Sequence, residues 1–164
     1  MTSSFRLKIL GVVALCSAVL LGSMIAVTPS RADPEDDAIA ARQGFMKLVY
    51  WNAGPLFGMA KGEVAYDAAT ATASAANLTA LSQYSFPGLF LPGTSKADRP
   101  GKTRALPDIW EDTAKLEKAF ENLGAAIAVL AEEAGKGQAE LAAAVGGLGK
   151  ACGGCHKPFR AKEF

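Results

Sequence analysis

Histidine is almost missing from this chain: His156 is the only one in 164 residues. Cysteine is scarce too, with only Cys16, Cys152 and Cys155. With Cys16 inside an apolar leader expected to be cleaved, one histidine and two cysteines remain, too few nitrogen and sulfur ligands for a closed zinc site, which takes four. Those counts also leave no spare imidazole to activate a nucleophile, and no acid–base constellation stands out, so the chain does not read as an enzyme. Strand-type alternation, internal repeats and a low-complexity tail are lacking. Charge of one sign is lacking as well: 17 basic residues face 16 acidic ones, for a formal net charge of +1. A nucleic-acid partner is excluded on that balance.

The long apolar run that does exist sits at the start. Arg6 and Lys8 precede an uncharged stretch from Ile9 to Val27, and Ser30-Arg31-Ala32 places small residues at the −3 and −1 positions of an export cleavage site. Residues 1–32 therefore read as a cleaved export signal peptide and 33–164 as the folded domain. The competing reading is a retained anchor, because the run is long enough to span a bilayer. Cleavage removes Cys16 and three basic residues and leaves 14 basic against 16 acidic. The expectation is a periplasmic protein with no stable membrane span. In such an oxidising compartment the default reading of two remaining cysteines is a disulfide.

The mature region is rich in good helix formers, and its punctuation divides it into four helical stretches. Asp33-Pro34 caps the first, which runs to about Lys61 with Gly62 as its stop; Pro55 inside it predicts a bend. Ile39, Gln43, Met46, Tyr50 and Ala53 share a face at three- and four-residue spacing. The second stretch covers about 67–85. Residues 86–107 hold four prolines and three glycines, a long crossover of a length that is usually functional or tied down. The third begins at Pro107-Asp108, with Ile109, Thr113, Leu116, Phe120, Leu123, Ile127 and Leu130 repeating at 4-3 spacing, and ends at Gly135. The fourth runs from about Gln138 to Lys162. Two short connections and one long one predict an all-α fold, an antiparallel four-helix bundle.

Cys152-Gly153-Gly154-Cys155-His156 is a C-x-x-C-H pentapeptide near the end of the last helix. This spacing suits covalent attachment of haem c: each thiol adds to one vinyl group, and the following histidine reaches the iron. A redox disulfide competes, but motifs of that type open a helix in an α/β fold. The iron takes at most one more protein ligand. The mature chain has two methionines, Met46 and Met59, and a thioether is a common axial ligand in electron-carrying haems. Met46 lies on the first-helix stripe with Arg42 one turn before it, where a guanidinium suits a propionate and Gln43 adds a hydrogen bond. Met59 lies beyond Pro55 and reads as core. Phe159 reads as packing under the haem. Arg160 sits four residues past the ligand, either near His156 or as a solvated cation at the helix C-terminus.

With Ala41-Arg42-Gln43, Pro92-Gly93-Thr94, Pro107-Asp108-Ile109-Trp110 and Gly149-Lys150-Ala151 ahead of the haem motif, the chain resembles the class II c-type cytochromes, the cytochrome c-prime family, along essentially its whole mature length. The resemblance is greatest to the low-spin, methionine-ligated subgroup, because methionine stands four residues after the first-helix arginine. It implies one covalent haem c held through Cys152 and Cys155, with His156 and Met46 on the iron. It places Arg42 and Gln43 by the propionates, with Thr103 and Arg104 approaching the haem; relatives often carry an acidic or polar residue at position 104. It also implies homodimers through the first two helices, where Val49, Trp51 and Leu56 look exposed. The function expected is electron transfer with unidentified redox protein partners. The alternative is a five-coordinate protein that binds nitric oxide or carbon monoxide.

Overall fold

The structure, a computed structural model, describes residues 33–164. The expected leader, with Cys16, lies outside the described residues. No helix among the described residues is long and apolar enough to cross a membrane.

Helix α1 spans Pro34–Lys61. Asp33 caps it by accepting the Glu35 amide at 3.1 Å, and three carboxylates in its first turn complement the helix dipole. It continues unbroken through Pro55 and stops at Gly62, whose φ of 73° places it in the left-handed region. There the Gly62 amide bonds back to the Gly58 and Met59 carbonyls, closing the helix end. Helix α2 spans Ala68–Ser82 and is capped by Asp67, whose carboxylate takes the Thr70 amide at 2.6 Å. It ends three residues earlier than expected, and the chain then makes a short 3-10 turn at Phe86–Leu89.

The third predicted helix is two. A single turn, α3, covers Asp108–Glu111, and α4 covers Thr113–Glu133. Asp112 causes the break. Its backbone leaves the helical region (φ −123°, ψ 64°) so that its side chain can accept the Lys115 amide and start α4 afresh. Helix α5 spans Gln138–Phe159, not 138–162. Residues beyond it turn extended because Ala161 N–H bonds to the Arg104 carbonyl and Leu106 N–H to the Phe159 carbonyl. That pairing, an isolated bridge of Ala105 with Arg160, ties the crossover segment to the end of α5.

Each long helix packs on two others: α1 on α2 and α5, and α4 on the same two. The connections alternate ends, so the bundle is antiparallel as expected. The end carrying the crossover and the last turns of α5 is the site end. The other end is closed by Leu56, Ala71, Leu130 and Leu141, each with no exposed surface, with Leu78 beside them. Three residues placed on the shared faces by spacing are exposed instead: Tyr50 is 77% exposed, Gln43 is exposed on α1, and Thr113 is exposed at the α4 N-terminus. Leu56, read as an exposed dimer contact, is fully buried in the core, Val49 is half-buried against it and Trp51 is 78% exposed. Met59 is core, as expected, and its sulfur accepts the Asp67 amide at 3.3 Å.

Candidate haem site

At the site end the helices leave a gap between them. Arg42, Gln43 and Met46 of α1, Phe86 and Phe90 of the crossover, Leu116 and Phe120 of α4, and Cys155, His156 and Phe159 of α5 surround a cleft with about 760 Å³ of empty space. A second compartment, of about 920 Å³, is lined by Met46, Phe45, Val49, Leu81, Phe86, Phe120, Cys152, Cys155 and His156. The two share Met46, Phe86, Phe120, Cys155 and His156, and both are open to solvent. Cys152, Cys155, His156, Met46, Arg42, Gln43, Thr103 and Arg104 all line one or both. Every residue singled out for the site is thus brought together there.

The helical geometry of α5 explains the attachment segment. Cys152 and Cys155 are three residues apart and so project from one side of the helix, with His156 four residues after Cys152 on that same side. The two sulfurs are not joined to each other. Burial pushes both thiols above their usual range; the neighbouring Cys152 adds to the rise at Cys155 and Arg160 opposes it. The His156 imidazole is held below its ordinary value, first by burial and then by the Arg160 and Arg104 guanidinium groups. The ring is thereby kept neutral, with a nitrogen lone pair free to ligate a metal.

Arg42 is 5% exposed. Its two terminal nitrogens donate to the Leu89 carbonyl (3.1 Å), the Thr94 hydroxyl (2.7 Å), the Thr94 carbonyl (2.9 Å) and the Thr103 hydroxyl (3.4 Å). Its guanidinium carbon also lies 5.0 Å from the Phe90 ring centre. Gln43 donates to the Lys102 carbonyl at 2.7 Å. The first-helix pair therefore pins the crossover, a role that the sequence did not reveal. Arg42 has only uncharged acceptors, and burial lowers its pKa from the ordinary value. A buried cation without a counter-ion is costly.

That cost is a test of the cofactor. The larger-mouthed compartment is walled by apolar and aromatic side chains together with Arg42, Arg104 and Arg160, and its lining includes no acidic residue. A flat, mostly apolar group bearing carboxylates answers both features. The donor set, two thiols, one neutral imidazole and one thioether, is soft to intermediate and suits iron. The residues fit haem c.

Comparison with known proteins points the same way. The profile of the Cytochrome C′ family matches residues 37–160. The chain belongs to the cytochrome c′ family. The cytochrome c′ of Cereibacter sphaeroides is 43% identical over 147 residues, covering 88% of this chain and 98% of that protein. Among solved structures, cytochrome c′ from Rhodobacter sphaeroides superposes with a TM-score of 0.77 at 45% identity, over 80% of this chain and 100% of that one. A ferrous variant of cytochrome c prime from Alcaligenes xylosoxidans with bound NO has a TM-score of 0.67 at 31% identity, over 81% of this chain and 100% of that one. Cytochromes of this family carry covalent haem c, and the fold is their four-helix bundle.

Sequence reasoning missed most of the cleft's aromatic wall. Phe86 stacks on Phe45 at 4.6 Å and meets Phe90 and Phe120 edge-on at 5.2 and 5.6 Å. Trp110 joins through Phe90, and its indole N–H donates to the Phe90 carbonyl at 3.0 Å. One signal was present: Phe86 and Phe90 are large apolar residues in a proline- and glycine-rich loop, where burial has to come from tertiary structure.

Proposed function

We propose that this protein is an exported, periplasmic electron carrier, with its haem attached through Cys152 and Cys155 and its iron held by His156 and Met46. Bound haem supplies a one-electron couple at the iron. The observation that carries the reading is that the Met46 thioether on α1 and the neutral His156 imidazole on α5 line the same cleft. Two protein ligands leave no position for a substrate, which is also why the chain is not read as an enzyme. Phe86, Phe120 and Phe159 keep water from the ligands and so limit solvent rearrangement when charge changes. Arg104, Arg160 and the remaining donors of Arg42 and Gln43 answer the propionate charge.

The second reading, binding of nitric oxide or carbon monoxide, is favoured by the relative solved with bound NO. It needs an open or easily displaced sixth position, so Met46 separates the two. Absorption spectra of the oxidised and reduced holoprotein, with and without carbon monoxide, decide between them. The electron-carrier reading expects a low-spin spectrum with a weak far-red sulfur-to-iron band when oxidised and no prompt response to carbon monoxide. Met46→Ala then abolishes that band and opens the iron to the gas. A wild-type spectrum that is high-spin and shifts at once with carbon monoxide overturns the assignment and installs gas binding in its place.

A further inference from the structure

We propose that the groove between α4 and α5 at the site end is the docking surface for an acidic one-electron redox protein. The proposal rests on the electron-carrier reading. Lys115, Lys118 and Asn122 of α4 line the groove with Gly147, Lys150 and Gly154 of α5. Ala119 and Ala151 complete it, and these same two residues line the compartment shared by Cys152, Cys155, His156 and Met46. Two methyl side chains are therefore the partition between an external cationic groove and the cofactor cleft.

The charge of this groove is local. The mature chain has more acidic than basic residues, yet three lysines stand together here. The carboxylate bonded to them is Glu121, 2.8 Å from Lys118, and both side chains are about two-thirds exposed (68% and 65%), so the pair is weak. Lys115 lies 5.9 Å from the ring centre of Phe159, itself a wall of the cleft. Beyond Gly147 the furrow continues between the same helices to Glu133 and Glu140, where Lys136 bonds Glu133. The sign of the charge thus reverses from site end to far end. A carboxylate-bearing surface is drawn to the end nearest the cofactor and turned away from the other.

Glycine adds a second argument. A Cβ added at Gly147 or Gly154 meets nothing within 4 Å, so packing within the chain does not call for glycine at either position. Glycine inside a helix is unfavourable relative to alanine. What the two glycines do is leave the groove open beside the attachment segment, so that a docked surface approaches it closely. In the exchange, one electron leaves the reduced centre of one protein and enters the oxidised centre of the other, with no bond made or broken.

The test maps the surface and then reverses its charge. Holoprotein labelled with nitrogen-15 is titrated with hexacyanochromate(III), a paramagnetic trianion that does not exchange electrons. Broadening is expected at the amides of Lys115, Lys118, Asn122, Lys150 and Gly154. It is lost in K115E/K118E/K150E and when poly-L-glutamate displaces the probe. In stopped flow, the triple variant slows oxidation of the reduced protein by hexacyanoferrate(III) on the order of tenfold at low salt and speeds oxidation by hexaammineruthenium(III). Both effects vanish near 1 M salt, where the screening length is about 3 Å. K115Q/K118Q/K150Q shows the same directions with smaller size. Broadening centred on Arg104 and Arg160, rates indifferent to the lysines, or failure of poly-L-glutamate to displace the probe overturns the proposal. The charge dependence of the rates, variant against wild type, is read in either spin state, so a high-spin spectrum sinks the electron-carrier reading alone, while unmoved rates in a low-spin protein sink the docking surface alone.

Discussion

The two ends of this bundle solve the same packing problem differently. At the far end, small and branched aliphatic side chains close the interior on themselves; Leu56, Ala71, Leu130 and Leu141 have no exposed surface at all. At the site end, aromatic rings line a cleft that the helices leave open, and the wall is held by hydrogen bonds from Arg42, Gln43 and the Ala105–Arg160 bridge. One end is stabilised by area removed from water. The other sets a cofactor's space and relies on polar clamps to keep it. Stability and function are therefore separable along the bundle axis, and substitutions can show it.

The largest effect is expected at the far end. Leu130→Ala removes a fully buried side chain where four helices meet, and helices around it cannot collapse without moving the others. A loss of about 3–5 kcal/mol is expected, the upper part of the range for such truncations. Denaturant unfolding measures it. The haem spectrum of the folded fraction should stay as in the wild type. A changed spectrum would mean the two ends are coupled and the comparison is false.

Arg42→Ala should do the converse. It strands the Leu89 and Thr94 carbonyls, which now accept from the guanidinium, and it frees the crossover. Stability should fall by about 2–3 kcal/mol, the scale of buried hydrogen bonds to a charged group. The distinguishing readout is local: limited proteolysis should cut between 92 and 104, and hydrogen exchange should quicken there while α2 and the far half of α4 stay protected. Uniform loss of protection would mean that Arg42 supports the whole bundle rather than one wall.

Much of this division was legible in the sequence. The four long helices, their antiparallel arrangement and the attachment segment follow from spacing and from Gly62, Gly135 and the prolines. Met46 and Arg42, one turn apart, were placed at the site by their register. What spacing alone did not show is competition for the backbone. Asp112 and the residues after Phe159 both continue a helical pattern, yet each leaves the helix because a specific partner, the Lys115 amide or the Arg104 carbonyl, holds it elsewhere. Tyr50 falls on the stripe by counting but points to solvent. The Arg42 contacts are 47 to 61 residues apart in sequence, so no local pattern carries them.

A smaller effect tests the break between α3 and α4. Asp112→Ala removes the carboxylate that accepts the Lys115 amide at 3.1 Å. A loss of about 1 kcal/mol is expected, as for other helix N-caps. Because α4 starts at the site end, the fraying should reach Leu116 and leave Leu130 untouched, which amide exchange resolves. If Asp112→Ala instead fuses α3 and α4 into one helix, Trp110 is drawn from the Phe90 carbonyl, and the indole environment reports it by fluorescence.

The smallest effect separates the clamps of the site end from each other by pH. Arg99 of the crossover bonds Asp33 at 2.7 Å and Asp36 at 3.1 Å at the start of α1, and Lys102 bonds Asp36 as well. The Arg99 bond, with the Glu35 amide bond behind it, holds the Asp33 carboxyl well below its ordinary 3.8. A depressed carboxylate pKa means that the folded state binds fewer protons than the unfolded one. The stabilisation is therefore fully present above the ordinary value and is lost as pH falls through the folded one. These groups are exposed, so salt should weaken the strap, whereas the buried Arg42 clamp is neutral in its acceptors and should ignore both acid and salt. Protection from hydrogen exchange at Arg99 and Lys102, referred to the intrinsic exchange rate at each pH, should thus fall on strong acidification or at high ionic strength, while that at Lys96 and Ala105, whose amides bond the uncharged Ala105 carbonyl and Thr103 hydroxyl, does not. Asp33→Asn should remove most of the acid response at Arg99. If the amides on either side of Arg42 respond to acid together with those at Arg99, the crossover is one cooperative unit and the site end, like the far end, stands or falls as a whole.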